Sequence, residues 1–467
     1  MLCLHHLNHS PSPNSSFLAS TPPPALTQLF SSAPGTGNCL SYSDLLFQTK
    51  SLALCLRKHY SLSKGDVAII LSPHSFRFPI LSLALLSLGV IISPAMPGDS
   101  ISDINRLVDL CNPTIAFTNS RASHKLPSHL PIVLLDSPEY LSFFTQYVDS
   151  NNVDSSVDVD SDDPVNQQDG ASIFYSSGTS GPRKGVFLTH RNWIASTAAT
   201  AQSYHIPSDS DQVLGRSSSS TPALVSLATR VYTAAYGLSV MMRAVFMGET
   251  LVFTGSKFEI ERVLEAVDKY KPDYMPVSPS EIQQLWRSEL TEKYDLSSLK
   301  FIQCSGAPLA TEVADKFRAK FPNVKLAIRY GLTETTGAVA NMRSLEELER
   351  VGSVGRLIEF MEAKIVDPVT AESLPSGHQG ELWLRGPSIM KCYLGDDKAT
   401  AEILDSEGWL KTGDLCYFDS QGFLFIVDRL KEVIKYNNIK IAPAELEHLL
   451  VSNHEIDDAV VVPYVST

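Results

Sequence analysis

Residues 173–190 read Ile173-Phe174-Tyr175-Ser176-Ser177-Gly178-Thr179-Ser180-Gly181-Pro182-Arg183-Lys184-Gly185-Val186-Phe187-Leu188-Thr189-His190. An apolar run, Ile173 to Tyr175, feeds a loop rich in hydroxyls and glycine, then a lysine, then a second apolar run. Glycines at 178, 181 and 185 let backbone N–H groups approach an anion closely. Ser176, Ser177, Thr179 and Ser180 add hydroxyl donors, and Lys184 adds a mobile positive charge. Such a set of donors suits the polyphosphate of a nucleotide. The loop is not the common NTPase loop, Gly-x4-Gly-Lys-[Ser/Thr]. Counting from Gly178, the second glycine falls on Arg183, and Gly185 replaces the magnesium-binding hydroxyl. A flexible Gly/Ser linker is the competing reading, but linkers are rarely clamped between two apolar runs.

Four more segments extend the pattern: Tyr330-Gly-Leu-Thr-Glu-Thr335, Gly380-Glu-Leu-Trp-Leu-Arg-Gly386, Gly408-Trp-Leu-Lys-Thr-Gly-Asp414 and Asp428-Arg-Leu-Lys431. Together with the loop they resemble, in order and interval, the motifs of acyl-adenylate-forming (AMP-binding) enzymes. That superfamily includes acyl-CoA synthetases, 4-coumarate–CoA ligases, luciferases and peptide-synthetase adenylation domains. The resemblance runs from about residue 39 to the last residue.

Bulk properties bound the reading. The chain has 467 residues, enough for two or more domains. Its 43% hydrophobic and 19% charged residues are ordinary for a globular protein. A net charge of -13 argues against nucleic acid or an anionic membrane as main partner. The cysteines at 3, 39, 55, 111, 304, 392 and 416 form no Cys-x-x-Cys pair, which argues against a zinc site or a disulfide framework. The apolar run Ile80 to Ile92 is too short to cross a membrane and reads as a buried helix entering a strand.

The order of elements predicts an α/β fold with largely parallel sheets. Helices are expected at Ser43 to His59, Phe78 to Leu88, Phe258 to Tyr270 and Thr311 to Lys320. Strands are expected at Asp66 to Leu71, Val90 to Ile92, Ile115 to Phe117 and Pro131 to Leu135. After about residue 340 a β-rich unit follows, with Ala363 to Val366, Glu381 to Arg385 and Phe423 to Val427. Pro443 to Leu450 reads as a helix and Ala459 to Val462 as a strand. Residues 149–169 carry seven Asp and no Lys or Arg, and read as a solvated loop. The division expected is a disordered Ser/Pro-rich tail over 1–38, a large multi-subdomain adenylation domain over 39–427, and a small, incomplete α+β C-terminal domain over 428–467. The adenylation domain would hold α/β sheets plus a small β-rich subdomain.

The resemblance implies a two-step reaction: a carboxylate displaces pyrophosphate from ATP to give acyl-AMP, and the thiol of coenzyme A then displaces AMP. It further implies a role for each matching position. Ser176, Ser177, Gly178, Thr179, Ser180, Gly181 and Lys184 would hold the β- and γ-phosphates. Thr333 would contact the α-phosphate, and Glu334 would ligate Mg²⁺. Asp414 and Arg429 would hold the ribose, and Lys431 sits at the family's hinge. Lys257 and Lys435 match positions that meet the acyl-adenylate or coenzyme A, although an ordinary surface lysine explains either as well. Tyr236 and Ala307 match walls of the acyl pocket.

Within the family, Leu382-Trp383-Leu384 stands where authentic 4-coumarate–CoA ligases carry a cysteine. The surroundings, Gly386-Pro-Ser-Ile-Met390 and Tyr393-Leu-Gly-Asp-Asp397, look more like the plant 4-coumarate–CoA ligase-like group. That group includes ligases for fatty-acid-like and jasmonate-precursor acids. Hydroxycinnamates and such acids are therefore the expected substrates, and cytosol or peroxisome the expected compartment.

Departures from the family pattern are specific. Extra residues separate Asp211-Gln-Val-Leu214 from Tyr236-Gly-Leu238, and the family's aromatic–histidine pair is absent there. Ile328-Arg329 replaces the usual Gln-Gly, which puts a long charged side chain into the acyl site. Cys392 replaces a common glycine. The chain ends at Thr467 without the family's Pro-x-x-Gly-Lys segment, so slow acyl-AMP formation is expected. The leading reading is an ATP-dependent acid–thiol ligase using ATP, Mg²⁺ and coenzyme A; the alternative is a catalytically impaired nucleotide- or acyl-binding remnant.

Overall fold

A computed structural model describes residues 28–31, 39–72, 77–144, 163–176, 183–202, 224–229, 233–255, 258–431, 434–436, 439–441, 443–451, 456 and 459–462. Two compact units emerge, each assembled from separate stretches of chain. Unit 1 gathers residues 1–197, 222–257 and 390–397; unit 2 gathers residues 198–221, 258–389 and 398–467.

The core of unit 1 is a seven-stranded sheet in the order Cys392–Tyr393, Lys184–Thr189, Gly170–Ser176, Ile91–Ala95, Val67–Leu71, Ile115–Thr118, Ile132–Leu134. Its last five strands are parallel. Such strands are covered on both faces, which is why Ala68, Ile69, Ile70 and Leu71 form an unbroken buried run rather than an alternating one. The helices Phe78–Ser87 and Ile101–Cys111 connect strands of this sheet, and Tyr42–Tyr60 leads into Val67–Leu71. Tyr42–Tyr60 starts at a reciprocal cap: Asp44 N–H donates to Ser41 Oγ at 3.0 Å, and Ser41 N–H donates to Asp44 Oδ2 at 3.1 Å.

A second strand run in unit 1 joins Val225–Ala228, Thr250–Phe253, Gln28–Ser31 and Cys39–Ser41. Gln28–Ser31 corrects the tail expected over 1–38: part of that segment is a paired strand. Beneath this run lies a closed ion pair, Arg243 to Glu249 at 2.7 Å, with both side chains under 3% exposed. Ser226 Oγ donates to the same carboxylate oxygen at 2.7 Å.

Unit 2 contains the run Tyr274–Val277, Phe301–Cys304, Lys325–Leu332, Gly337–Asn341 and Arg356–Leu357. The first three strands are parallel, and the last two turn back antiparallel. A five-stranded antiparallel sheet follows: Ser373–Leu374, Glu362–Val366, Gly380–Arg385, Leu410–Phe418, Leu424–Arg429. This is the β-rich unit expected after residue 340. Its core packs Leu382, Leu384, Leu410, Cys416 and Leu424 together.

Expected elements and observed ones agree closely where the apolar spacing is regular; the helix at Thr311–Lys320 is one case. The strand expected at Ala459 to Val462 does not form. Val460 and Val462 are 77% and 70% exposed there, and β-branched residues hold a strand only where a partner supplies the ladder. No helix among the described residues is long and apolar enough to cross a membrane.

Candidate nucleotide and acyl site

In unit 2, Asp414 is 3% exposed. It lies on Leu410–Phe418, directly opposite Arg429 of Leu424–Arg429. Arg429 Nε meets Asp414 Oδ1 at 3.1 Å, with the arginine side chain 40% exposed. The hydroxyl of Tyr330 donates to the other oxygen, Oδ2. Burial, reinforced by the Asp414 charge, pushes the Tyr330 phenol far above its ordinary value, so it stays a donor. The same two causes raise the Cys416 thiol.

Neighbouring groups hold Asp414 in place. Its own N–H donates to Thr412 Oγ1 at 3.1 Å, and Thr412 donates to Leu382 O at 2.8 Å. Gly413 N–H donates to Glu381 Oε1 at 3.1 Å. The pairing register shifts between Leu415 and Cys416: Leu415 opposes Asp428, whereas Cys416 opposes Ile426.

Tyr330 is delivered by Lys325–Leu332, which turns through the short 3-10 segment Thr333–Thr335 into Gly337–Asn341. The turn is tight enough to demand glycine: a Cβ on Gly331 would sit 2.0 Å from the Gly337 carbonyl oxygen. Thr335 Oγ1 donates to Gly337 O at 2.6 Å and accepts from Leu332 N–H at 2.9 Å. Thr336 adopts a left-handed φ of 61° and donates to Ser388 O at 2.6 Å. Thr333 and Glu334 are half-buried at the tip. Ala307 is exposed after Phe301–Cys304, and Lys431 is exposed after Arg429. Arg329, one residue before Tyr330, is 5% exposed. Lys435 lies in the strand Ile434–Tyr436.

In unit 1, two strands flank residues 177–183. Gly170–Ser176 pairs antiparallel with Lys184–Thr189, and Ser176 opposes Lys184 at the rung next to the connecting residues. The Lys184 ammonium stands 4.7 Å from the Tyr393 ring centroid. Tyr175 and Ser93 share a hydroxyl hydrogen bond of 2.6 Å beneath the strand, and Trp193 Nε1 donates to Ser172 Oγ at 2.8 Å. Burial lowers the His190 imidazole to about 4, which keeps it neutral. Ser177, Gly178, Thr179, Ser180, Gly181 and Lys257 lie outside the described residues. Tyr236 is in the first turn of the helix Ala235–Met247. Among the described residues no three His, Cys, Asp or Glu side chains cluster as a metal site.

Within unit 2 the structure thus brings Asp414, Arg429 and Tyr330 together, with Thr333 and Glu334 on the turn that Tyr330 leads into. Sequence reasoning missed Glu381, Thr412 and Ser388. All three stand inside quoted stretches, which was a usable signal, although Ser388 acts through its carbonyl.

The AMP-binding enzyme family model matches residues 20–394. The chain belongs to the AMP-binding enzyme family. Within that family, it is an acid–thiol ligase of the 4-coumarate–CoA ligase-like group, as two curated relatives illustrate. "4-coumarate--CoA ligase-like 9" of Arabidopsis thaliana is 50% identical over 94% of this chain and 75% of its own length. "Peroxisomal OPC-8:0-CoA ligase 1" of the same plant is 39% identical over 92% and 77%. Among solved structures, O-succinylbenzoate coenzyme A synthetase (MenE) from Bacillus subtilis in complex with AMP superposes with a TM-score of 0.77. It is 23% identical and covers 94% of this chain and 83% of its own, a likeness of fold.

Proposed function

We propose that this chain joins a carboxylic acid of aromatic or fatty body to coenzyme A through an acyl-adenylate. The observation that carries the reading is the Asp414 carboxylate, buried yet bonded on one side to a Tyr330 phenol and on the other to a half-open Arg429. The strand pair holds this buried acid beside an arginine that is 40% exposed. Two vicinal ribose hydroxyls are the donors that fit, and Arg429 adds the second contact. Relatives named as CoA ligases support the same class.

The remaining roles follow from the motif resemblance. Thr333 contacts the α-phosphate from its turn, and Lys184, with Ser176 and residues 177–181, neutralises the β- and γ-phosphates. Glu334 fits Mg²⁺ as a single carboxylate, the number that ion usually takes from protein when phosphate oxygens complete its shell. Mg²⁺ there would supply charge neutralisation on the phosphates. Tyr236 and Ala307 border the acyl group; Lys257, Lys431 and Lys435 serve the acyl-adenylate or coenzyme A. In step one a substrate carboxylate oxygen bonds to the α-phosphorus, and pyrophosphate leaves. In step two the thiol sulfur bonds to the acyl carbon, and AMP leaves. The strand-held Tyr330 and Asp414 fix the nucleoside, so the reacting atoms start aligned.

The test is pyrophosphate release from ATP and Mg²⁺ with a panel of cinnamic and fatty acids. Acid-dependent release, followed by thioester on adding coenzyme A, is expected. Release that ignores every acid would sink the ligase reading.

A further inference from the structure

Arg329 departs from its family and is left unpaired in a buried place. It lies on Lys325–Leu332 opposite Asn341. Its Nε and Nη2 are buried with no hydrogen-bond partner. Side chains two residues apart on a strand share a face. Gln303 opposes Ala327, so Gln303, Asn341 and Arg329 stand on one face of the run; Tyr274 opposes Phe301 and joins them. The neighbouring polar side chains on that face bond one another. Tyr274 donates to Gln303 Oε1 at 2.5 Å, and Gln303 Nε2 donates to Asn341 Oδ1 at 3.1 Å.

A guanidinium cannot escape burial by losing its proton. Leaving it unpaired out of water is costly, and nothing in the fold is gained in return. The neighbouring residue, Tyr330, spends its polar atom on Asp414. One strand therefore carries a satisfied polar group and, on the next residue, a cation with two idle donors in a fork that suits a carboxylate.

We propose that Arg329 receives a second anionic group of the substrate, remote from the carboxyl that is activated, so that the acid is a dicarboxylate. The proposal rests on the ligase reading and names the substrate class within it. Such a receptor would also reject simple monoacids, because the cation would stay buried and unpaired beneath them.

Calorimetry with a length series of α,ω-dicarboxylic acids, each beside its monomethyl ester, tests this on wild type, Arg329→Lys and Arg329→Met. At least one diacid should bind wild type about tenfold or more tightly than its ester. That preference should shrink in Arg329→Lys and vanish in Arg329→Met, with AMP affinity the same in all three. Arg329→Met should also unfold at no lower urea concentration than wild type, since no partner is lost; a merely structural arginine would destabilise instead. Equal binding of diacid and ester by wild type, a preference that survives in Arg329→Met, or AMP binding without any diacid binding overturns the assignment. Wild type that binds a diacid but not AMP would keep the receptor and remove the ligase reading.

Discussion

Glu249 and Asp414 are buried carboxylates that each meet an arginine, and they do so differently. Glu249 and Arg243 are both sealed, at 2% and 1% exposed, with Ser226 closing the same oxygen. Asp414 is as deep, but its arginine is 40% exposed, and its other partner is a phenol rather than a second cation. The first pair ties a helix end to a strand through one carboxylate oxygen. The second has its cation half in water. Burial of an acid alone does not mark a site.

The comparison can be broken first at its closed end. Glu249→Ala would leave Arg243 buried without its carboxylate, and should cost about 3–5 kcal/mol in urea unfolding. A loss no larger than that of Asp414→Ala would mean the two pairs are not different in kind. Buried charge in unit 1 is also avoided by neutralisation, as at His190. Its folded value of about 4 lies below the ordinary 6.5. The unfolded chain therefore takes up the proton first, and stability falls as pH drops from about 6.5 to about 4, by up to about 2–3 kcal/mol. His190→Gln should flatten the unfolding midpoint across that window; an unchanged slope would assign the acid sensitivity elsewhere.

At the open end the effect should move from folding to binding. Asp414→Ala should weaken AMP by about 1.5–3 kcal/mol, the usual worth of hydrogen bonds to a charged group, while Arg429 falls back on solvent. Unchanged AMP affinity would take Asp414 out of the nucleotide site. Tyr330→Phe removes one donor to that carboxylate and should cost about 0.5–1.5 kcal/mol in AMP binding. A gain in affinity there would show the phenol competing with ribose rather than positioning the acid.

Much of this was legible beforehand because it is local. Regular apolar spacing gave Tyr42–Tyr60 and Thr311–Lys320 almost to the residue. Motif resemblance placed Asp414, Arg429, Thr333 and Glu334. Contacts spanning the chain were not legible. Tyr330 and Asp414 are 84 residues apart, and nothing in either segment's composition says that a phenol and a carboxylate will meet. The Arg243–Glu249 pair was missed for a plainer reason: six residues apart at a helix end, it has no motif and follows from packing alone. Ala459 to Val462 was misread because propensity was taken for pairing. Arg329 was noticed as a departure, but its unpaired donors depend on which side chains share its sheet face.

The shift between Leu415 and Cys416 has a consequence that is a matter of arithmetic. Beyond it, paired residue numbers sum to 842, as in Tyr417 with Phe425 and Phe418 with Leu424; before it they sum to 843, as in Asp414 with Arg429. Had the sum stayed at 842, the residue facing Asp414 would have been Asp428. Two acids would then have confronted each other, and the strand would have repelled where it now attracts. One extra residue thus reverses the sign of the charge across from Asp414. A hairpin with its bulge repaired by deletion would fold with the same composition and nearly the same sheet, and would be the wrong polarity at a single rung.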